Sequence, residues 1–204
     1  MMTAITIRTL HSPDEMDEAV RLQQIYWGEN MSDIVPTHML LSISRYGGHI
    51  HAAFDDERMV GLLVGFLGAK YKEGYSQHAT DSLCIMSKRL VVLPEYRGKK
   101  IGELLKLAQR DFALQHGISL VEWTYDPMLA RNAHLNLHKL RGVVQEYEEN
   151  YFGSASAHPT MRADRLVVDW WVGHPHVTEP SPYTSDTLAD AQIVNALTHT
   201  SAGA

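Results

Sequence analysis

Between Leu90 and Leu105 the chain reads LVVLPEYRGKKIGELL. An apolar run rich in valine stops at a proline, a basic turn with glycine follows, and an amphipathic run begins at Ile101. No single helix or strand accommodates this order, because Pro94 and Gly98 interrupt it, so the stretch is predicted to be a strand, a turn and a helix. A helix that starts in this way leaves its first backbone N–H groups without partners. Arg97, Lys99 and Lys100 add positive charge around them. Such a start is suited to holding an anion.

The remaining sequence limits what the anion can belong to. With 204 residues there is room for one sizeable core or at most two small ones. Hydrophobic residues at 45% and charged residues at 21% are the composition of a soluble globular protein. A formal net charge of −6 argues against nucleic acid or an anionic membrane as the main partner, since both call for a basic surface. Cys84 is the sole cysteine, which excludes an intramolecular disulfide and a thiolate metal cluster. A reducing compartment is then expected. With no signal-like apolar stretch at the N-terminus and no apolar run near the ~20 residues that span a bilayer, the expected location is cytoplasmic.

Strand and helix patterns alternate along the chain. Residues 4–10 (AITIRTL) read as a strand. Ser12-Pro13-Asp14-Glu15 is a capping box with proline at the first helical position, and Met16, Ala19, Val20, Gln23 and Trp27 follow at helical spacing, so 13–27 is predicted helical. A shorter helix runs from Pro36 to Tyr46 and stops at Gly47-Gly48. HIHAAF (49–54) and MVGLLVGFLGA (59–69) flank a polar turn and form a hairpin. A third strand-like run, about 78–93, enters the opening motif. The helix after it aligns Ile101, Leu104, Leu105, Ala108 and Phe112 on one face and ends at His116-Gly117. A strand at 119–125, a helix at about 130–140 and strands at about 143–151 and 165–172 complete the pattern. Residues 1–172 read as one domain. From Gly173 the chain turns polar and proline-bearing, and 173–204 is expected to be an extension packing on the domain or on a partner subunit; a homodimer is one assembly it allows.

The order β-α-α-β-β-β-α-β-α-β-β is a mixed α/β (α+β) arrangement. Together with Val91-Val92-Leu93-Pro94-Glu95-Tyr96-Arg97-Gly98-Lys99-Lys100-Ile101-Gly102 at a strand-to-helix junction, it resembles the GNAT superfamily of N-acetyltransferases. The likeness extends from about Ile5 to Trp171. It is sharpest at Val60-Gly61 in the hairpin, at RGKKIG, and at Asn132-Ala133 opening the helix that leads to His138-Lys139-Leu140-Arg141-Gly142. The resemblance implies a mainly antiparallel central sheet flanked by helices, splayed between the third-run strand and the strand after the RGKKIG helix. It implies that the anion is the pyrophosphate of coenzyme A, as acetyl-CoA or another acyl-CoA, with no metal. Arg97, Gly98, Lys99, Lys100, Ile101 and Gly102 would hold the phosphates, Leu90, Val91 and Val92 the pantetheine arm, and Asn132 is a further contact. The implied reaction is direct transfer of the acyl group to an amine on a small-molecule or peptide acceptor; the alternative is a module that binds acyl-CoA without turnover.

Two positions depart from the family pattern. Lys100 stands where a third glycine is usual. Leu137 stands where many relatives carry a tyrosine that protonates the leaving thiolate, and His138 is the neighbouring candidate donor. His134 and His138 lie four apart on the same helix, but two histidines alone do not make a zinc site. An amine must lose a proton to react, so a carboxylate base is needed; Glu122 is the first candidate, with Asp81 and Asp126 behind it. His49 and His51, alternating on one strand, are expected half-exposed, and Trp123, Tyr125, Trp170 and Trp171 are expected in the core or at its rim. The loops at about 28–36, 70–77 and 152–163, expected to frame the acceptor, show no dominant charge.

Overall fold

The computed structural model describes residues 4–30, 33–70, 78, 82–153 and 163–180. Asp81, most of the loops at 70–77 and 152–163, and the extension beyond 180 lie outside the described residues. The elements are β1 (Thr6–Thr9), α1 (Pro13–Trp27), α2 (Thr37–Arg45), β2 (His49–Asp55), β3 (Arg58–Ala69), β4 (Leu83–Val92), α3 (Ile101–Gln115), β5 (Leu120–Tyr125), α4 (Ala130–Ala133), β6 (Val143–Glu148), β7 (Arg165–Trp171) and α5 (Pro175–Thr178). A 3-10 turn at Pro94–Tyr96 leads into α3, and α4 continues as a π-helix from His134 to Lys139. Among the described residues no helix is long and apolar enough to cross a membrane.

Local chemistry sets the boundaries of α1. The Ser12 hydroxyl accepts from the Glu15 N–H (3.3 Å) while the Glu15 carboxylate accepts from the Ser12 N–H (2.9 Å), so two otherwise unpaired donors at the helix start are satisfied reciprocally. At the far end of α3, Gly117 takes a positive φ of 69° and the Ile118 N–H reaches back to the Ala113 carbonyl at 2.9 Å.

The sheet has seven strands in the order β1-β2-β3-β4-β5-β7-β6. Every pairing is antiparallel except β4 with β5. That parallel neighbour follows from the α3 crossover, since a helix between two strands returns the chain to the same end of the sheet. One core cluster joins α1, α2 and α3 to β2–β4 through residues such as Met16, Leu40, Leu63 and Leu105. A second groups Ile85, Trp123, Tyr125, Leu140 and Trp170 around β5 and β7. Trp123, Tyr125 and Trp170 are core residues and Trp171 lies at the rim, as expected.

Three expectations need correction. His49 and His51 are buried, at 1% and 5% exposure, because α3 lies over them: Gln109 Nε2 is 2.8 Å from His49 Nε2, and the Phe112 ring centre is 4.3 Å from that of His49. Gly65 on β3 makes the room, since a Cβ there would come within 2.4 Å of the His49 ring. The inner face of α3 is correspondingly part polar: Lys106 and Gln109 are buried while Leu104 is exposed. The late helix is not one α-helix. The Leu140 N–H bonds to the Leu135 carbonyl at 2.9 Å, five residues back, which is the wider π spacing.

Candidate functional site

β4 pairs with β3 along its whole length but with β5 only at Ile85–Val121 and Met86–Glu122. Past Met86 the two strands part, as the family resemblance implied. The cause lies in β4 itself. Val64 pairs with Arg89 and Gly65 with Ser87, so Lys88 is an extra residue, a β-bulge. A bulge bends its strand and increases its twist, and here it does so at the row where β4 leaves β5. Ser87–Val92 thus runs on toward the turn without β5 beside it.

The turn at the end of this open stretch is pinned from below. The Tyr96 hydroxyl donates to Asp55 Oδ2 (2.7 Å) and the Leu93 N–H to the Val60 carbonyl (2.9 Å). Gly98 (φ 79°) and Lys100 (φ 61°, ψ 10°) both take left-handed conformations, with Lys100 capping α3. Glycine does this freely; at lysine it costs about 1 kcal/mol or more. The position where relatives carry glycine therefore keeps the glycine conformation with a lysine in it. The Leu104 N–H closes on the Lys100 carbonyl at 3.0 Å, so the N–H groups of Ile101, Gly102 and Glu103 precede the first intrahelical bond and face outward. Lys99 turns back, its ammonium 4.4 Å from the centre of the Tyr96 ring, and the Arg97 guanidinium stands 5.4 Å from that of Tyr26. A Cβ on Gly102 would touch Leu90 Cδ2 and Leu135 Cδ2, each at 3.8 Å, so the last turn of β4 and the π-helix converge on the start of α3.

Two buried lysines flank the fork on opposite faces of the sheet. On the α3 face, Lys106 Nζ lies 2.8 Å from Ser87 Oγ, 3.2 Å from Gln109 Oε1 and 3.5 Å above the Trp123 ring. Burial drives its pKa well below the lysine range. On the other face, Lys70 Nζ bonds Asp169 Oδ1 at 2.8 Å and meets Glu122 Oε2 at 2.5 Å. Burial opposes this ammonium, but the bonds to Asp169 and Glu122 outweigh it and raise the Lys70 pKa. Glu122, the candidate base, accordingly sits on the last paired row of the fork and is held by Lys70; sequence reasoning singled out neither Lys70 nor Asp169. Cys84 is buried close by, its thiol pushed up to about 11 by burial and then by Glu122, so it stays protonated and is no nucleophile.

The late helix carries the remaining candidates. Asn132, half-buried, donates its N–H to the Leu129 carbonyl at 2.8 Å. His138 is exposed and stacks on His134, ring centres 4.8 Å apart; among the described residues it makes no contact with Glu122. Leu137 is 36% exposed. The structure thus brings Leu90, Ile101 and Gly102 together at one end of the fork and Glu122 to its apex, while His138 stands in a separate exposed stack.

The same architecture is found in solved acetyltransferases. The ribosomal-protein-S18-alanine N-acetyltransferase of Escherichia coli superposes with a TM-score of 0.62 at 12% identity, over 84% of this chain and 96% of that one. NAA60 of Arabidopsis thaliana, in complex with acetyl-CoA, gives 0.64 at 11% identity, over 82% and 99%. The acetyltransferase yncA of Salmonella typhimurium, described as putative and solved with acetyl-CoA, gives 0.62 at 14%, over 84% and 96%. At these identities the likeness shows the fold alone. No match is found among curated protein sequences. Residues 13–143, which include the hairpin, the fork, the turn and α3, match the sequence model of the acetyltransferase (GNAT) family, and the chain belongs to that family of acetyl-CoA-dependent acyltransferases.

Proposed function

We propose that the protein transfers an acetyl or other acyl group from coenzyme A to an amine-bearing acceptor. The carrying observation is the continuity of fork and turn: a β4 edge without β5 beside it, Ser87–Val92, runs straight to a helix start with outward N–H groups. In this reading the edge at Leu90, Val91 and Val92 pairs with the amide-rich pantetheine arm as an added strand. The turn from Arg97 to Gly102 takes the pyrophosphate, with the α3 dipole favouring its charge. Asn132, on α4, is the further contact that the family resemblance implies. The thioester then lies at the apex, beside Glu122. The acceptor nitrogen attacks the thioester carbon, the C–N bond forms, the C–S bond breaks, and the sulfur leaves with the electron pair. Glu122 takes the proton lost by the amine, and His138, once it leaves its exposed stack on His134, returns one to the thiolate. That thiolate is a fair leaving group even without a donor, since a free thiol titrates near 8.5.

The test combines calorimetry with acetyl-CoA and thiol release against a panel of amines. Gly102→Val should weaken acetyl-CoA binding about tenfold or more by crowding the N–H groups, with thermal unfolding unchanged. His138→Ala should keep binding and lower turnover about tenfold or more. Wild-type protein that binds no CoA overturns the whole reading, and a wild-type rate in His138→Ala moves the donor role to Tyr125. The runner-up, an acyl-CoA-binding module without turnover, has Leu137 in its favour and is selected by tight CoA binding with no thiol release.

A further inference from the structure

The bulge that opens the fork also decides which face Arg89 takes. Beyond Lys88 the alternation of β4 flips, so that Leu90 points to α3, where it meets Gly102, and Arg89 points to the opposite face, where its guanidinium lies 4.6 Å from the centre of the Trp27 ring on α1. Across the gap, on the same face, Arg165 at the start of β7 donates from Nε and Nη2 to the hydroxyl and carbonyl of Thr124, both at 3.3 Å. Thr124 is two residues past Glu122 on β5 and on the same face, so Arg165 stands on the far wall of the fork. Lys88, the exposed bulge residue between them, has its pKa lowered, by partial desolvation first and then by the charges of Arg89 and Arg165.

Cations this close repel one another, and proteins normally answer them with carboxylates. Among the described residues none of the three forms an ion pair. Asp33 faces Arg89 and Asp126 faces Arg165, each from beyond ion-pair distance. The Arg89 Nε is buried without a hydrogen-bond partner. Three cations without ion pairs of their own, among the described residues, thus stand at the fork of a chain whose net charge is −6. It is not the phosphate turn over again. Four residue-to-residue steps of strand lead from Lys88 to Val92, about 13 Å at 3.3 Å per step, and the turn lies further on.

Resting on the acyl-transfer reading above, we propose that the acceptor carries an oxyanion, a carboxylate or a phosphate, which sits against Lys88, Arg89 and Arg165 while its amine faces the apex at Glu122. Arginine forks match such groups two oxygens at a time. Lys88 adds a point charge. The face opposite α3 then positions the acceptor by its anion as the turn positions the donor by its phosphates.

The experiment has a binding arm and a turnover arm. Protein saturated with CoA, so that the turn is filled, is titrated calorimetrically with succinate, with inorganic phosphate and with the uncharged succinamide. An anion should bind, lose affinity as salt rises, and weaken about tenfold or more in Arg89→Gln and in Arg165→Gln, with CoA affinity unchanged in both variants. Succinate against phosphate tells which oxyanion fits. In the turnover arm β-alanine is compared with β-alaninamide, an amine of the same length without the carboxylate. β-Alanine should have the higher kcat/KM, and Arg89→Gln should erase the difference through KM. Equal binding of succinate and succinamide, or no binding of either anion, overturns the proposal, as does equal use of the two amines. Where neither amine reacts, the binding arm decides. If CoA itself does not bind, the acyl-transfer reading has failed, and the anions titrated onto the free protein still report on the three cations.

Discussion

Lys70 and Lys106 are buried to nearly the same degree, at 6% and 2% exposure, on opposite faces of one fork. Lys70 has two carboxylates and stays charged above the ordinary lysine range. Lys106 has a hydroxyl, an amide and an indole face, and burial depresses its pKa. Equal burial has opposite electrostatic consequences because the partners differ: desolvation alone neutralises an amine, and only negative charge at contact distance reverses this. The Lys70 face holds ion pairs at the fork, and the Lys106 face is a hydrogen-bonded plug without a carboxylate that spans Ser87 and Trp123 where β4 and β5 no longer pair.

Removing each lysine breaks the comparison most directly. Lys70→Met takes the ammonium away from half-buried Glu122 and buried Asp169, and urea unfolding should show a loss of about 3–5 kcal/mol. Next in size is an acid limb that belongs to the α3 face. Burial holds His51 at about 4 and His49 at about 2, so both are neutral in the fold while an unfolded chain protonates them below pH 6.5. Stability should fall as pH drops from 6.5 toward 4, by about 3 kcal/mol for His51 alone at 1.36 kcal/mol per unit. His51→Leu should roughly halve the slope of that limb in unfolding measured across pH, leaving the part that belongs to His49. The smallest effect is expected of Lys106→Met, within about 1 kcal/mol of wild type, because the thioether fills the space without a charge to desolvate. The alkaline sign separates the pair. Lys106 contributes stability that rises with pH until the unfolded amine titrates near 10.5, whereas the Lys70 contribution is complete below 10.5 and is lost above it. If Lys106→Met leaves the alkaline rise intact, Lys106 is charged in the fold and the contrast disappears.

The sequence made the strand, turn and helix at 90–105 legible because proline, glycine and the onset of an apolar period act within a few residues of one another. α1 came out to the residue for the same reason: Ser12, Pro13, Glu15 and Gly28 punctuate it locally. What stayed hidden depends on partners far along the chain. His49 looks half-exposed on its own strand, and only Gln109 and Phe112, sixty and more residues away, bury it. Lys106 falls at a position that helical periodicity assigns to the flank of an apolar face, and its partners Ser87 and Trp123 come from two strands that the fork has separated. The bulge at Lys88 is a property of the β3–β4 register and has no glycine or proline to announce it; without it Arg89 could not be placed on the face of Trp27. The π-helix was missed because α and π spacing differ by one residue per hydrogen bond, too little for six residues to reveal.

The parting of β4 from β5 has a consequence for how the protein keeps in solution. A sheet normally ends at its outer strands, here β1 and β6, but this one also contains an interior seam whose backbone donors and acceptors resemble those of an exposed border. Borders of that kind recruit other chains unless charge or irregularity spoils the template, and Lys88 supplies both at once. Whatever extended molecule fills the seam completes the sheet and stabilises the fold by mass action, by about 2.7 kcal/mol at a hundred times its dissociation constant. Shelf life, resistance to proteases and freedom from clumping should then follow the concentration of the occupant, so that exhaustive dialysis ages the protein faster than storage with its ligand.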